Sequence, residues 1–409
     1  MSSLKDPYRL YIYICFLSQL FFTFIFTVSL LYQVSVVKLD PLQLVLVGTV
    51  LEITVFLFEI PTSIVSDLKS RKLSVIIGYF LIGVGFLLEG LFPFFITVLL
   101  AQVAWGIGYT FTSGSLQAWI ADEIGEEKAS SAYMRGAKAG NLGQLVAIPL
   151  SVLIGSYLIH LPIIVGGLCM IGLAVLLIFF MQENHFKPLK RSETVGAWET
   201  MKENLDKIIL FSRTSFILRM LFLIALFIGF YSEGFDRLWL PHLLEMAEIT
   251  TLSNERLVLL TGGIQLVVVL LSYMLLHFLN KSTIYQELHR IYIALFIGCS
   301  SIVVALIGFA FSSYIIGLFI CYVIIQVSRK VMSPLEDIWL NKIIPDSSTR
   351  ATFFSVKGQV DAVGQISGGP VIGYIATTLT IKTAIIVSAL ILSPVLFFYR
   401  SLLKKGVQK

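Results

Sequence analysis

The chain has 409 residues, of which 57% are hydrophobic and 13% are charged, and its formal net charge is +5. An ordinary soluble domain carries about 25% charged residues. This composition therefore excludes a water-soluble globule and requires that most of the surface face lipid. At roughly 20 residues per membrane helix, the length accommodates about twelve helices and leaves no room for a large soluble domain.

Long apolar runs predict the membrane spans in chain order. They lie at 10–34, 42–65, 73–92, 94–115, 132–158, 162–181, 217–243, 257–279, 291–311, 314–334, 352–376 and 380–400. The first run lacks the cleavage site of a signal peptide, so we expect it to remain as a span. We therefore expect an all-α integral membrane protein with twelve transmembrane helices in two six-helix bundles.

The longest polar stretch, Gln182–Ser215, lies between the sixth and seventh spans. It predicts an N-terminal bundle at 1–181, a cytoplasmic hinge loop at 182–215 and a C-terminal bundle at 216–409. A weak internal repeat supports two related halves, and parallel halves are typical of transporters. The recurring segments are Leu116–Trp119 with Gly143–Gln144, and Leu335–Trp339 with Gly364–Gln365. Chance similarity between apolar segments is the alternative.

The positions of lysine and arginine predict the orientation. Most of the 30 lie on the side of the two termini, whereas the opposite loops contain Lys38, Arg256 and Lys382. Because cytoplasmic loops carry the excess of these residues, we expect both termini in the cytoplasm and the spans in the plasma membrane. The positive net charge then reflects membrane topology, and nucleic acid is excluded as a partner.

A charged motif joins the second and third spans. It resembles the loop signature of the major facilitator superfamily, Gly-x3-Asp-Arg/Lys-x-Gly-Arg/Lys-Arg/Lys, with Asp67, Arg71 and Lys72 at the matching positions. Ser63 and Ser70 stand where the signature has glycines. We expect Asp67 to form a latch with Arg71 or Lys72 that opens when the two bundles rock. Ordinary positive-inside loop charge is the alternative.

The residues before this motif narrow the resemblance. With Glu59 and Pro61 placed ahead of it, the segment resembles clostridial-type tetracycline efflux proteins and related Gram-positive drug exporters. The resemblance implies the major facilitator fold, a monomer, and exchange of tetracycline, carried as a divalent-metal chelate, for protons. Pro61, Asp67, Arg71 and Lys72 would then form the gating motif.

Two acids of the second span are candidates for proton coupling. Glu52 and Glu59 are seven residues apart, which is nearly two helical turns and places both on one helix face. Ionisable residues within a span cost about 2.5–3.5 kcal/mol each, so they are functional candidates by default. A carboxylate there can bind a proton on one side of the membrane and release it on the other. The alternative is a structural ion pair with a cation of another span.

The seventh and tenth spans supply the other candidates. Glu233 and Arg237 are four residues apart, so they can neutralise each other on one helix. That pairing leaves Asp236 for a proton or a cationic substrate group, and Arg329 is a further coupling candidate.

Three more ionisable residues are expected to have structural roles. We expect Glu89 to lie at the membrane interface, near the outer end of the third span. Lys357 and Asp361, again four residues apart, are expected to pair with each other.

The sequence contains no pattern for a metal or nucleotide cofactor. The four cysteines lie singly in apolar runs, and neither a His-Glu-x-x-His nor a Gly-x4-Gly-Lys-Ser/Thr arrangement is present. We therefore expect a transporter without cofactors that uses the proton gradient, rather than an enzyme.

The 31 phenylalanines and 16 tyrosines would suit a flat, hydrophobic, partly cationic drug. The sequence thus predicts proton-coupled efflux of a hydrophobic antibiotic, with protons, the drug and the lipid bilayer as partners. The alternatives are a macrolide or multidrug exporter and a transporter-like membrane sensor that moves nothing.

Overall fold

The computed structural model describes residues 6–188, 215–249, 252–280, 287–344 and 347–406, together with positions 199, 202, 203, 206, 209, 210, 213 and 284. Over these ranges the chain is helical and contains no strand. The α-helices are α1 (Pro7–Ser35), α2 (Pro41–Leu68), α3 (Arg71–Leu91), α4 (Phe95–Thr112), α5 (Ser115–Ile124), α6 (Glu126–Gly155), α7 (Leu161–Phe180), α8 (Phe216–Met246), α9 (Asn254–Asn280), α10 (Leu288–Phe311), α11 (Ile315–Ile343), α12 (Ser347–Thr378) and α13 (Ile381–Gly406).

Eleven helical segments in the described chain are long and apolar enough to cross a membrane, with Phe95–Ile124 counted as one segment. The protein is therefore a multi-pass membrane protein. The predicted span 352–376 is helical and forms part of α12, but it is not among the eleven. Its composition is more polar than that of the others, with Lys357, Asp361 and Gln365 along its length.

Two glycines set the limits of α5, a short helix that lies between the predicted fourth and fifth spans. Gly114 has φ 73° and Gly125 has φ 83°, a left-handed backbone conformation that favours glycine. Gly114 precedes α5 and Gly125 separates it from α6, so the region between the predicted fourth and fifth spans contains a further short helix. The placement of α5 matters because it bears Asp122 and Glu123.

The chain divides into two compact units. Unit 1 comprises Met1–Lys38, Val50–Met201 and Ser253–Gly262, and unit 2 comprises Leu39–Thr49, Lys202–Leu252 and Gly263–Lys409. The first part of α2 thus packs within unit 2, where Val45 joins a buried apolar cluster with Leu238 and Ile372. Most of the predicted hinge, from 189 to 214, lies outside the described residues.

Close helix crossings build unit 1. A Cβ added at Gly78 of α3 would lie 2.6 Å from the backbone oxygen of Gly108 on α4, and the reverse distance is also 2.6 Å. A Cβ at Gly83 would lie 2.6 Å from the backbone oxygen of Gly167 on α7. Small residues at such crossings let membrane helices approach closely, so α3 is tightly packed between α4 and α7.

In unit 2 the glycines of α12 have the same packing role. A Cβ added at Gly364 or at Gly368 would overlap the backbone of α8, at Leu226 and Phe230 respectively. Gly364 and Gly368 therefore bring α12 close to α8, whereas Gly373 lies against Val45 and Leu42 of α2. The same helix bears Asp361 and Lys357, which lie near charged residues of α11.

Candidate functional site

The start of α3 is bound by the carboxylate of Glu183, a residue that follows α7. Ser70 is the N-cap of α3 and accepts a hydrogen bond from the backbone N–H of Leu73 at 2.9 Å. Its hydroxyl donates to Glu183 Oε2 at 2.5 Å. Glu183 Oε1 accepts from the backbone N–H groups of Arg71 at 2.7 Å and Lys72 at 3.1 Å. A negative group at a helix N-terminus stabilises the unsatisfied N–H groups and the helix dipole.

The side chain of Arg71 pairs with α5 rather than with α2. Arg71 Nη1 lies 2.9 Å from Asp122 Oδ2, and the guanidinium lies 5.8 Å from the ring centre of Phe186. Lys72 Nζ donates to the backbone oxygen of Ile178 at 3.0 Å. These contacts join the start of α3 to α5 and to the end of α7.

The expected latch between Asp67 and Arg71 or Lys72 is therefore not formed in this structure. Asp67 lies in the last turn of α2, half-buried, and forms no ion pair with any residue of the described chain. The four-residue spacing to Arg71 does not bring the side chains together because α2 ends at Leu68 and a new helix begins at Arg71. Pro61 lies within α2, seven residues before the helix ends.

Sequence reasoning missed the partners of the motif, which lie on α5 and just after α7. Trp119 Nε1 donates to the backbone oxygen of Gln182 at 2.7 Å. Glu123 Oε1 accepts from the backbone N–H groups of Asn184 at 2.7 Å and His185 at 3.0 Å. The first residues of the predicted hinge are thus bound to α5. The available signal was the acidic pair Asp122–Glu123, which ends two residues before Gly125.

Glu52 and Glu59 both lie on α2, as predicted from the spacing. Glu59 is exposed, whereas Glu52 is half-buried. Tyr109 of α4 lies within electrostatic range of both carboxylates. Both acids therefore face the region of α4, and within the described residues no ion pair forms on Glu59. A structural ion pair, the alternative reading for Glu59, is not present there.

Glu89 is fully buried, which corrects the expectation of an interfacial residue. Its carboxylate accepts hydrogen bonds from Ser29 Oγ at 3.0 Å and Gln33 Nε2 at 2.8 Å, both on α1. Gln102 Nε2 of α4 lies at 3.4 Å from the other carboxylate oxygen. Helices α1 and α4 enclose this end of α3, so a residue near the end of the span is still removed from the surface.

An aromatic cluster adjoins this buried acid. Trp105 Nε1 donates to Gln102 Oε1 at 2.8 Å. The Trp105 ring contacts Phe26 at 5.6 Å, Phe86 at 5.7 Å and Tyr109 at 6.2 Å between ring centres. Phe26 and Tyr109 are each 43% exposed, so the cluster extends from the buried acid to an accessible aromatic surface near Glu52 and Glu59.

Unit 2 contains ion pairs within its helices. The predicted pairing of Glu233 with Arg237 is confirmed, with Arg237 Nε 2.9 Å from Glu233 Oε1. Gly48 of α2 makes room for this pair, because a Cβ there would overlap the Glu233 carboxylate. A Cβ at Gly369 of α12 would lie 3.2 Å from Glu233 Cγ. Glu233 is therefore enclosed between α2 and α12.

Asp236 is also paired, which corrects the expectation that it remains available. Arg329 of α11 donates to both of its carboxylate oxygens, at 2.5 and 2.8 Å. The guanidinium also lies 5.9 Å from the ring centre of Tyr231. A bidentate arginine–carboxylate pair is strong and geometrically specific, so the two predicted coupling residues neutralise each other across α8 and α11.

Lys357 likewise pairs across helices rather than with Asp361. Its Nζ lies 2.8 Å from Glu336 Oε2 and 3.7 Å from Asp337 Oδ1, both on α11. The Tyr399 hydroxyl donates to Glu336 Oε1 at 3.2 Å. Asp361 instead accepts from Gln365 Nε2 at 2.8 Å. The long side chain of Lys357 thus reaches acids on α11 instead of pairing with its neighbour on the same helix.

These charged residues line a cavity of about 390 Å³ inside unit 2. Its lining residues include Tyr231, Cys299, Arg329, Glu336, Asp337, Phe354, Lys357 and Asp361. Three of these are acids and two are cations, and Arg329 is already bound to Asp236. The cavity therefore has an excess of negative charge, and Asp361 forms no ion pair with any described residue. Such a cavity favours a positively charged ligand with an apolar or aromatic body.

The described residues contain no group of three or more histidine, cysteine or acidic side chains that could bind a metal ion. The four cysteines are free thiols.

An all-helical membrane protein with paired charges inside its helices has the features of a transporter. A family model of the Major Facilitator Superfamily matches residues 10–328. The chain belongs to this superfamily and is a membrane transporter of that type. A relative in Bacillus subtilis (strain 168), the "Uncharacterized MFS-type transporter YxaM", is 24% identical over 369 residues, covering 88% of this chain and 87% of YxaM.

Two solved structures have similar folds. The nucleoside transporter NupG has a TM-score of 0.76 at 14% identity and covers 97% of this chain and 98% of its own. A bacterial homologue of the human lysosomal transporter Spinster, in an inward-facing and unoccupied conformation, has a TM-score of 0.75 at 15% identity and covers 98% of both chains. At these identities the similarity establishes the fold alone.

Proposed function

We propose that this transporter exports hydrophobic, positively charged small molecules in exchange for protons. The observation that supports the proposal best is the cavity of unit 2, where Asp337 and Asp361 add negative charge beside the rings of Tyr231 and Phe354. An amphipathic cation would gain apolar contact and charge neutralisation together. The small molecule is the cargo, and the proton gradient is the energy source.

Tetracycline, as its divalent-metal chelate, is the first substrate to test, because the segment from Glu59 to Lys72 resembles that of tetracycline exporters. In this proposal twelve helices form two bundles that alternate access across the plasma membrane, with both termini in the cytoplasm and one chain as the working unit. Glu52 and Glu59 bind the coupling protons. Asp67 and the pair of Arg71 with Asp122 contribute to gating.

The experiment uses membrane vesicles that contain the overproduced protein and a pH-sensitive dye. A pH gradient is established, and tetracycline with Mg²⁺, a macrolide, a cationic dye and a nucleoside are then added in separate assays. We expect tetracycline or the cationic dye to dissipate the gradient. A response to the macrolide would extend the substrate range to multidrug export. A response to the nucleoside alone, or no response to any compound, would overturn the proposal.

Matched variants assign the roles. Glu52→Gln and Glu59→Gln mimic the protonated acids, so each should abolish drug-driven proton movement while protein abundance stays normal. Asp361→Asn should weaken binding of the cationic drug and leave that of an uncharged analogue unchanged. Glu127→Gln, on an exposed acid in the first turn of α6, is the control and should behave as wild type. Normal coupling in Glu52→Gln or Glu59→Gln would remove that residue from the mechanism.

A further inference from the structure

The buried acid Glu89 lies in a site that can satisfy two protonation states. When the carboxyl is ionised, it only accepts hydrogen bonds, and Ser29, Gln33 and Gln102 provide donors. When it is protonated, its O–H group needs an acceptor close by. In a buried site a polar group without a partner is costly, so the acceptor must be built into the surroundings.

Gln33 provides that acceptor. The residue is 1% exposed, and its Oε1 is buried without a hydrogen-bond partner in the described chain, while its Nε2 donates to Glu89. A half-turn of the amide exchanges these two atoms and presents an oxygen to the carboxyl instead of an N–H group. Before the rotation Oε1 lacks a hydrogen-bond partner, and after it Nε2 lacks one. The cost of one unpaired amide atom is therefore present in both protonation states and favours neither.

The groups around Glu89 are consistent with this exchange. From α1, the Tyr32 hydroxyl donates to the backbone oxygen of Glu89 at 2.8 Å, and this tyrosine is the titratable side chain facing it from that helix. From α4 the facing side chain is the neutral Gln102. From α7 the packed residues are Ile163 and Ile164, which lie against Gly90. The negative charge of Glu89 is therefore stabilised by neutral hydrogen-bond donors, and these donors can also bind the protonated form.

The site is also linked to the aromatic cluster. Gln102 bridges Glu89 and Trp105, since its Nε2 lies 3.4 Å from the carboxylate and its Oε1 accepts from the indole N–H at 2.8 Å. The amide holds both groups at once, so a change in the strength of one hydrogen bond changes the position of the amide for the other. Trp105 in turn contacts Phe26 and Tyr109, which are partly exposed.

We propose that Glu89 is a proton-binding site in which Gln33 switches from donor to acceptor, and that Gln102 transmits the protonation of Glu89 to the aromatic cluster around Trp105. The proton binds a carboxylate oxygen as an O–H group and leaves by the same bond, so no other reactant is needed. A contribution of this site to export rests on the proposed function, whereas proton binding itself does not.

Infrared difference spectra of the purified protein, recorded between acidic and alkaline buffer, test proton binding without any substrate. We expect one component of the carbonyl band of protonated carboxyl groups to be absent in Glu89→Gln and retained in the exposed control Glu127→Gln. Ser29→Ala keeps the carboxyl but removes one hydrogen bond to it, so the band should persist at a shifted frequency. If Glu89→Gln keeps the full band, or Ser29→Ala leaves its frequency unchanged, the proposal is overturned.

Tryptophan fluorescence tests the transmission. We expect a pH-dependent change in wild type that is lost in Glu89→Gln and in Trp105→Phe, and retained in Glu127→Gln. A pH response that survives in Glu89→Gln would contradict transmission from this site. If the infrared band behaves as expected while no compound dissipates a pH gradient in vesicles, the proton site stands and the proposed export function fails.

Discussion

The acidic residues of the two units have different kinds of binding partners. In unit 1, Glu183 at the start of α3 and Glu89 within the helices bind backbone N–H groups and neutral side chains, although Asp122 pairs with Arg71. In unit 2 the acids inside the helices bind cations, as Glu336 does with Lys357. A buried ion pair resists loss of either charge, whereas an acid bound by neutral donors can change its protonation at lower cost. This difference supports the proposed binding of protons in unit 1, whereas Glu233, Asp236 and Glu336 of unit 2 have cationic partners.

The largest effect is expected when a buried ion pair of unit 2 is broken. Lys357→Met leaves Glu336 buried and without its cation, and removal of one partner of such a pair costs about 3–5 kcal/mol. The free energy of unfolding in detergent should fall by about 3 kcal/mol, since the pair is partly accessible. The double variant Lys357→Met with Glu336→Gln should recover at least half of the loss.

A substitution of an exposed lysine is the matched control for this experiment. Lys128→Met changes an exposed side chain of α6, and surface substitutions of this kind alter stability by at most about 0.5 kcal/mol. An equal loss in both variants would mean that the pair with Glu336 adds nothing to stability.

The next effect concerns the space around the Glu233–Arg237 pair. Gly48→Ala places a methyl group where the Glu233 carboxylate lies, and overpacking of this kind costs about 1–3 kcal/mol. Thermal unfolding should show this loss. Gly172→Ala on α7 is the matched control, because an added Cβ there meets no atom within 4 Å. Equal stability of the two variants would show that α2 does not enclose this pair.

A smaller effect is expected at the start of α3 in unit 1. Glu183→Gln keeps the acceptor oxygen but removes the charge beside the helix N-terminus, and such interactions contribute about 0.5–2 kcal/mol. We expect a loss of about 1 kcal/mol, accompanied by faster hydrogen exchange at the amides of Arg71 and Lys72. Unchanged exchange at these two amides would exclude a contribution of Glu183 to the stability of this helix N-terminus.

The smallest effect distinguishes the two possible partners of Arg71. A double-mutant cycle with Arg71→Met and Asp122→Asn should give a coupling energy of about 0.5–1 kcal/mol, because the ion pair is partly exposed. The same cycle with Asp67→Asn should give a coupling energy near zero. A larger coupling to Asp67 would restore the latch predicted from the sequence and contradict the pairing seen here.

Local features were predictable from the sequence. The apolar runs located the helices, because a membrane span needs a continuous stretch of apolar residues. The pair of Glu233 with Arg237 followed from their spacing on one helix, since residues four apart are neighbours on a helix surface. The same rule failed for Lys357, whose closer partner lies on another helix, and for Asp67, where the helix ends before the spacing can apply.

The contacts between helices were decided by the tertiary structure alone. Arg329 and Asp236 are 93 residues apart, Arg71 and Glu183 are 112 apart, and neither spacing indicates contact. Glu89 lies near the end of a span, yet its burial depends on Ser29 and Gln102 from two other helices. Helical periodicity determines which residues share a face of one helix, whereas the crossing of small residues between helices determines which faces meet. The sequence therefore determines the helices and the positions of their charged residues, whereas the packing of the helices determines which residues those charges bind.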